Sequence, residues 1–351
     1  MNLKLKKLVG LFESRRIQAF LVTKDVNVAY LTDFPACESW LFVSPQKVFY
    51  ITDFRYVLEA KGGLKGVFVK QYKTSPFDTA IAVAKSLGIK RIGFDERHLS
   101  LSQFKRMKKN CPAALKLVAA NGLVETLREI KSENEIRQIR KALKINTQAY
   151  QFLKKVIKPG LSEREVLEKL EGFVKSRHVG FSFPPIIAAG PNSCFPHAKV
   201  TGRKIKNNEI VLVDLGIDVE GYKSDLTRIF FLGRIPRSVR KVFDIVRTAQ
   251  QRAIEKIKPG ILAADVDQEA RNYLSKKGLG KFFGHSLGHG VGLEIHEGPS
   301  LSQRSVSILK EGMVVTAEPA VYIPHKYGIR VEDMVLVTKS GCSVLSKDCR
   351  L

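Results

Sequence analysis

The sequence predicts an α+β protein in which a duplicated α+β unit follows a smaller α/β domain. Three observations predict it. Short strand-like runs alternate with helical spacing over the first 120 residues, and a long charged amphipathic stretch then occupies Glu133–Val156. Finally, the tetrapeptide Ile157-Lys158-Pro159-Gly160 recurs as Ile257-Lys258-Pro259-Gly260, within a matched order of elements.

In chain order, Met1 to Arg16 interleaves Leu3, Leu5, Leu8, Leu11 and Phe12 with lysines, which predicts an amphipathic helix. Ala19–Thr23, Trp40–Val43 and Val48–Thr52 are β-branched or aromatic runs and predict strands, while Asp78–Leu87 and Leu101–Lys109 have helical spacing. The texture changes between Ala120 and Ser132, which sets domains at 1–125 and 130–351. In Glu133–Val156, Ile136, Ile139, Leu143 and Ile145 recur at helical intervals. Each Pro-Gly then stops one helix and precedes another, Glu163–Lys175 or Asp265–Lys276, which runs on to Gly180 or Gly280. Each half closes with a strand pair: Glu209–Ile217 with Tyr222–Leu232, and Met313–Ile323 with Gly328–Thr338.

The chain has 351 residues, of which 44% are hydrophobic and 26% charged, a balance that supports a packed core and excludes disorder. No run approaches the roughly 18–20 apolar residues of a membrane span, and the N-terminal stretch lacks the unbroken core of a secretion signal. The five cysteines are odd in number, scattered and without a Cys-x-x-Cys pair, so neither a disulfide framework nor a thiolate zinc site is expected. A cytoplasmic location is the reading that follows. The 59 Lys+Arg against 34 Asp+Glu leave a formal charge of +25. That excess is spread along the chain with no basic tail, so a nucleic-acid partner is unsupported by any motif.

Both strand pairs contain acids where apolar residues belong. Asp214 follows Val211-Leu212-Val213, and Asp225 lies within Tyr222–Phe231. Glu318 follows Val314-Val315-Thr316-Ala317, and Glu332 sits between Ile329-Arg330-Val331 and Met334-Val335-Leu336. A turn at Glu220-Gly221 sets Asp214 opposite Thr227 and Gly216 opposite Asp225, making the two aspartates diagonal neighbours at about 7–8 Å. Burying one unpartnered carboxylate costs several kcal/mol. Four converging carboxylates therefore call for positive charge or for raised pKa values, and two divalent ions would balance them.

The histidines point the same way. Of seven, four lie in two contexts: Phe195-Pro196-His197-Ala198, and the glycine-rich run from Gly284 to Glu297 holding His285, His289 and His296. Glycines there let the backbone approach a ligand closely. His98, His178 and His325 stand alone and are assigned no role, and no helical His-Glu-x-x-His zinc motif occurs.

At these residues the chain resembles the metallopeptidase family with the pita-bread fold, which includes methionine aminopeptidase, aminopeptidase P, prolidase and creatinase. The resemblance rests on Val-Asp-Leu-Gly at 213–216, Tyr-Lys-Ser-Asp-Leu-Thr-Arg at 222–228, Gly-His-Gly-Val-Gly at 288–292, Ala-Glu-Pro at 317–319 and Arg-Val-Glu-Asp at 330–333. It covers residues 130–351, while the first 120 residues resemble the creatinase-type N-terminal domain of the proline-specific members. It implies two divalent ions per subunit, Mn²⁺ first with Co²⁺, Zn²⁺ or Fe²⁺ as alternatives, on Asp214, Asp225, His289, Glu318 and Glu332. Glu318 is then the proton shuttle, and His197 and His296 act beside it. His285, Arg330, Phe183 and Ile186 belong to the substrate pocket.

The implied reaction is removal of a residue preceding proline by attack of a metal-bridging hydroxide. An Xaa-Pro aminopeptidase comes first and an Xaa-Pro dipeptidase second, acting on proline-containing peptides as a homodimer. A non-catalytic RNA- or ribosome-binding protein on the same fold is the alternative from another class.

Overall fold

Six short strands build the sheet of the first of two compact units, Met1–Arg128; the second begins at Glu129. The computed structural model describes Met1 to Cys349. Helix α1 (Leu3–Gly10) is capped by Asn2, whose side chain accepts the Leu5 N–H, and buries Leu5 and Leu8. It stops short of the predicted Arg16: a 3₁₀ turn over Glu13–Arg15 leads to Arg16 in the left-handed region, which turns the chain into the first strand.

Strands β1 (Ala19–Val22), β2 (Trp40–Val43) and β3 (Val48–Thr52) coincide with the three predicted runs and are almost wholly buried. Three more were not anticipated: β4 (Phe68–Gln71), β5 (Arg91–Phe94) and β6 (Lys116–Ala119). Each is four residues long. The outer two, β4 and β6, are largely exposed, so they lack the apolar density that marks a strand in sequence. The sheet order is β4-β3-β2-β1-β5-β6, with β1–β2 and β2–β3 antiparallel and the other pairs parallel. Helices α2 (Asp25–Thr32), α3 (Val57–Gly63), α4 (Pro76–Ser86), α5 (Leu101–Asn110) and α6 (Leu123–Glu129) complete this stretch.

The second unit starts with α7 (Glu133–Val156) and α8 (Glu163–Lys175), each opened by a Ser/Glu capping box, Ser132 with Glu135 and Ser162 with Glu165. Strands β7 (Gly180–Phe181), β8 (Ile186–Ala189), β9 (Ile210–Leu215), β10 (Ile217–Val219), β11 (Tyr222–Lys223) and β12 (Leu226–Phe231) follow. Then come α9 (Arg237–Lys256), α10 (Ala263–Lys276), β13 (Gly288–Gly290), β14 (Glu297–Leu301), β15 (Val314–Ala317), β16 (Ala320–Ile323), β17 (Tyr327–Arg330), β18 (Asp333–Val337) and β19 (Cys342–Val344).

The duplication is visible in hydrogen bonds. Gly160 N donates to Ile205 O and Gly260 N to Leu309 O, both at 2.9 Å, while Ile205 N donates to Leu161 O and Leu309 N to Ile261 O, both at 2.8 Å. The left-handed residues after α8 and α10 are His178 and Gly278, two positions before the glycines the sequence singled out.

Alternation along β9 splits the core in two. Ile210 and Leu212 pack with residues of α9 and α10, and Val211, Val213 and Leu215 with residues of α7 and α8. Among the described residues no helix is long and apolar enough to cross a membrane.

In the first unit, Asp95 accepts from Arg97 Nη2 at 2.6 Å and Gly122 N at 2.7 Å. Glu125 Oε1 meets His98 Nε2 at 2.6 Å and accepts from Asn27 Nδ2 at 2.7 Å. Burial alone would raise both carboxyls, yet these donors hold both below their ordinary values. Carboxyls lowered in the folded state stabilise it above their unfolded pKa, and that contribution is lost as pH falls through the folded value. Acid denaturation is therefore expected to steepen below about pH 4, and Glu125→Gln to flatten that limb while costing about 1–2 kcal/mol near neutrality. Urea titrations from pH 3 to 7 check both.

Candidate metal centre and active site

Each hairpin interrupts its own ladder where an acid must face inward. In the first, Asp214 pairs with Thr227 and Leu215 with Leu226, and the same register resumes at Asp218–Lys223 beyond the break. The turn is Glu220-Gly221, both at positive φ, as the sequence predicts. At the break a Cβ on Gly216 would lie 2.1 Å from the Ser224 carbonyl, so only glycine lets the chain pass there. Asn146 of α7 props the gap open, donating to Leu215 O at 2.9 Å and Ser224 Oγ at 3.0 Å. Asp225 follows directly.

The second hairpin, expected as one unbroken pair, is split in the same manner. Ala317 pairs with Asp333 and Ala320 with Arg330, so Glu318 and Glu332 fall opposite each other in the gap. Pro319 has no N–H to donate, which favours a break at that point. His289 enters from β13, where a Cβ on Gly288 or Gly290 would lie 2.1 Å from a backbone oxygen of Thr316 or Gly298. The glycines flanking this imidazole thus serve close backbone packing.

These elements bring the five predicted ligand residues together. One ligand atom each of Asp225, His289 and Glu332 lie within 4.8 Å of one another. Glu318 joins through Oε1, 3.2 Å from His289 Nε2, and Asp214 through Arg330, whose Nη2 donates to Asp214 Oδ2 at 2.6 Å. Thr227 Oγ1 donates to Glu332 Oε2 at 2.8 Å and accepts from Arg330 Nε at 3.0 Å. Arg330, which the resemblance assigns to the substrate pocket, is thus the ion-pair partner of Asp214, and nearby Asp333 pairs with Arg228 at 2.7 Å.

The electrostatics are those of crowded anions. Burial, and then Glu332 and Asp214, push the Asp225 carboxyl far above the carboxylate range. Burial, Glu318 and Asp214 do the same to Glu332. Asp214 is raised by burial against the pull of Arg330. Glu318 would also rise on burial, but its hydrogen bond and charge contact with His289 keep it low. Two buried oxygens, Asp214 Oδ1 and Glu332 Oε1, have no donor.

Acceptors without donors, among carboxylates too close to ionise together, fit divalent cations held by oxygen and one imidazole. The Asp95, His98 and Glu125 group of the first unit has comparable spacing. Its carboxylates accept from Arg97, Gly122 and Asn27, however, and none of their buried oxygens lacks a donor.

Of the other predicted residues, His296 stacks edge-on against His289 with centroids 4.3 Å apart, and burial followed by His289 lowers its pKa. His285 meets Tyr322 Oη at 3.3 Å and lies near enough to Glu318 for their charges to interact. His197 is exposed, on a loop whose Pro196 carbonyl accepts from Arg330 Nη1 at 3.1 Å. Ile186 is 8% exposed and pairs with Asp214 across β8 and β9, and the ring of half-buried Phe183 lies over Gly216.

Sequence reasoning missed Tyr322, which hydrogen-bonds Arg330 and His285 and whose hydroxyl is pushed up to about 12, first by burial. It also missed two wholly buried carboxylates that fix the histidine loops. Glu163 accepts from Ala189 N, Asn192 Nδ2, Thr201 N and Thr201 Oγ1, clasping the segment that carries His197. Asp267 accepts from Leu287 N and Arg271, and Arg271 in turn donates to the carbonyls of Phe283 and His285. The only signal was an acid at a helical position otherwise facing the core.

The second unit matches metallopeptidase family M24 over residues 137–339, more than half of the chain. The chain belongs to this family. Residues 4–130 match the creatinase/prolidase N-terminal domain. The chain is 36% identical over 353 residues to an Xaa-Pro dipeptidase of Pyrococcus horikoshii, covering 99% of this chain and 97% of the relative. Its structure resembles an Xaa-Pro dipeptidase from Bacillus anthracis, with TM-score 0.93 and 35% identity over 98% of this chain and 97% of that one. An X-Pro aminopeptidase from Thermotoga maritima is similar at TM-score 0.89 and 33% identity over 97% of each chain. The M24 pita-bread architecture and its creatinase-type N-terminal domain therefore stand as the resemblance implied, and the protein is a metallopeptidase.

Three outcomes follow from the site. Glu163→Ala strands four donors, the Ala189 N–H among them wholly buried, and is expected to cost about 3 kcal/mol, read by urea denaturation. Without metal, Asp225→Asn is expected to raise the melting temperature by relieving anion crowding. Added Mn²⁺ is expected to raise that of the wild type by several degrees and of the variant far less.

Proposed function

We propose that this metallopeptidase hydrolyses the Xaa-Pro bond of dipeptides, which sets the dipeptidase ahead of the aminopeptidase that the sequence put first. What supports it is the pair of orphaned carboxylate oxygens beside His289 and Glu318, in a chain similar to an Xaa-Pro dipeptidase over 99% of its length. In this reading Asp214, Asp225, His289, Glu318 and Glu332 hold two divalent cations, with Mn²⁺ the first candidate. When bound, such cations supply Lewis acidity toward a peptide carbonyl and lower the pKa of water.

The protein's own groups do the rest. Glu318 Oε1, already fixed by Thr316 Oγ1 and His289, takes the proton of the attacking water and delivers it to the proline nitrogen as the bond breaks. His296 and His197 steady the scissile peptide, His296 from its place against His289. Arg330 holds Asp214 in place, and Tyr322 ties that guanidinium to His285. Phe183 and Ile186 form the apolar wall for the proline ring.

A second reading, Xaa-Pro aminopeptidase action on longer peptides, is favoured by the likeness to the Thermotoga maritima enzyme. Hydrolysis of Ala-Pro and Ala-Pro-Ala-Ala by one Mn²⁺-loaded sample separates the two. Under the first reading Ala-Pro is cleaved at least about tenfold faster by kcat/KM, a difference of roughly 1.4 kcal/mol in transition-state binding, and a chelator abolishes both reactions. Equal or faster cleavage of the tetrapeptide moves the assignment to the aminopeptidase. Inertness toward both with metal demonstrably bound rejects Xaa-Pro hydrolysis.

A further inference from the structure

Peptide hydrolysis leaves the +25 charge unused, and the second unit gathers part of that charge in one place. Where α9 meets α10, a cavity of about 370 Å³ is lined by Arg237, Arg240, Lys241, Asp244, Tyr273 and Lys277 among others. Its one acid, Asp244, pairs with Arg247 at 3.3 Å. Among the described residues none of the four lining cations forms an ion pair within 4.0 Å. Two of them are steadied by rings instead: the Arg240 guanidinium lies 4.7 Å over Phe231, and Lys277 Nζ 5.5 Å from the Tyr273 centroid. Cations seated on aromatic faces keep their N–H groups available for an incoming anion.

Arg237, Arg240 and Lys241 span about 6 Å along α9 at 1.5 Å per residue. A nucleic-acid strand in a helix presents a phosphate about every 3.4 Å of axis, so the row covers nearly two such intervals, enough for three phosphates, while Lys277 approaches from α10. One isolated anion would leave most of this charge unmatched, and an acidic peptide spaces its carboxylates irregularly among neutral groups. We propose that the α9/α10 cavity is a docking surface for the phosphate backbone of a nucleic-acid strand. The surface is independent of the Xaa-Pro reading, since it uses none of the residues assigned to that chemistry.

The test is fluorescence anisotropy of the full chain with a labelled single-stranded RNA of mixed sequence, about 20 nucleotides long, between 50 and 200 mM NaCl. Contact with three or four phosphates predicts a slope of log K on log salt of about −2 to −3. Arg240→Glu with Lys241→Glu is expected to weaken binding at least about tenfold and to flatten the slope by about 1.4. Ala-Pro hydrolysis should remain at the wild-type rate. The same charge reversal at Lys105 and Lys109, which line a separate basic hollow around Asp78, is expected to change affinity less than about twofold.

Equal losses in the two double variants would reduce the effect to diffuse net charge and overturn the assignment. So would absence of wild-type binding at the lowest salt, or displacement of the RNA by polyglutamate at equal charge concentration. If the reversal variant fails to melt cooperatively, Arg240→Gln with Lys241→Gln replaces it under the same criteria.

Discussion

The structure is organised around a charge imbalance that the protein alone does not cancel. Asp214, Asp225, Glu318 and Glu332 share one buried centre, with Arg330 and His289 as its nearest cationic partners. Each buried, unpaired carboxylate costs several kcal/mol, so the surrounding elements must hold these groups together against their repulsion. Every irregularity nearby makes sense in those terms. The ladder breaks let acids face inward, Asn146 and Ser224 satisfy the backbone where strands part, and Thr227 and Thr316 supply hydroxyl donors to single carboxylate oxygens. Two oxygens still lack donors, and these define where positive charge must enter.

Duplication explains how one chain assembles this from local rules. Each half repeats helix, Pro-Gly, helix and hairpin, with the same cross-links between the Pro-Gly turn and a later strand-like segment. Each half also spends one wholly buried carboxylate, Glu163 or Asp267, on anchoring a loop that carries site histidines. The two anchors differ chemically: Glu163 collects amides and a hydroxyl, whereas Asp267 works through the guanidinium of Arg271. Catalytic geometry of this kind needs loops held to within a fraction of an ångström, and buried charge-assisted hydrogen bonds are stiff enough to do it.

Much of this was legible in sequence because it violates a periodic pattern. An acid in a run of valines is conspicuous, so Asp214, Asp225, Glu318 and Glu332 stood out, and the register across Glu220-Gly221 followed from turn chemistry alone. Exposed edge strands such as β4 lack that contrast and went unread. So did Tyr322, because a tyrosine in a strand is ordinary until its hydroxyl is seen between Arg330 and His285. The pairing of Arg330 with Asp214 went unread for a related reason. Asp333 is near Arg330 along the chain but is claimed by Arg228 from the other hairpin, and only the packing of the two halves reveals that exchange.

The basic exterior and the acidic centre place opposite demands on ions. A chain of formal charge +25 repels metal cations at long range, while its centre requires them. Screening reconciles the two, because at physiological salt exposed charges fade over about 8 Å, whereas a buried cluster of carboxylates is screened far less. A cation approaching the protein therefore meets a weakened repulsion until it reaches the mouth of the site, where the unscreened carboxylates take over. The same screening confines the attraction of the α9/α10 cations to anions already close to them, which is why a row of unpaired guanidinium and ammonium groups matters more there than the total charge.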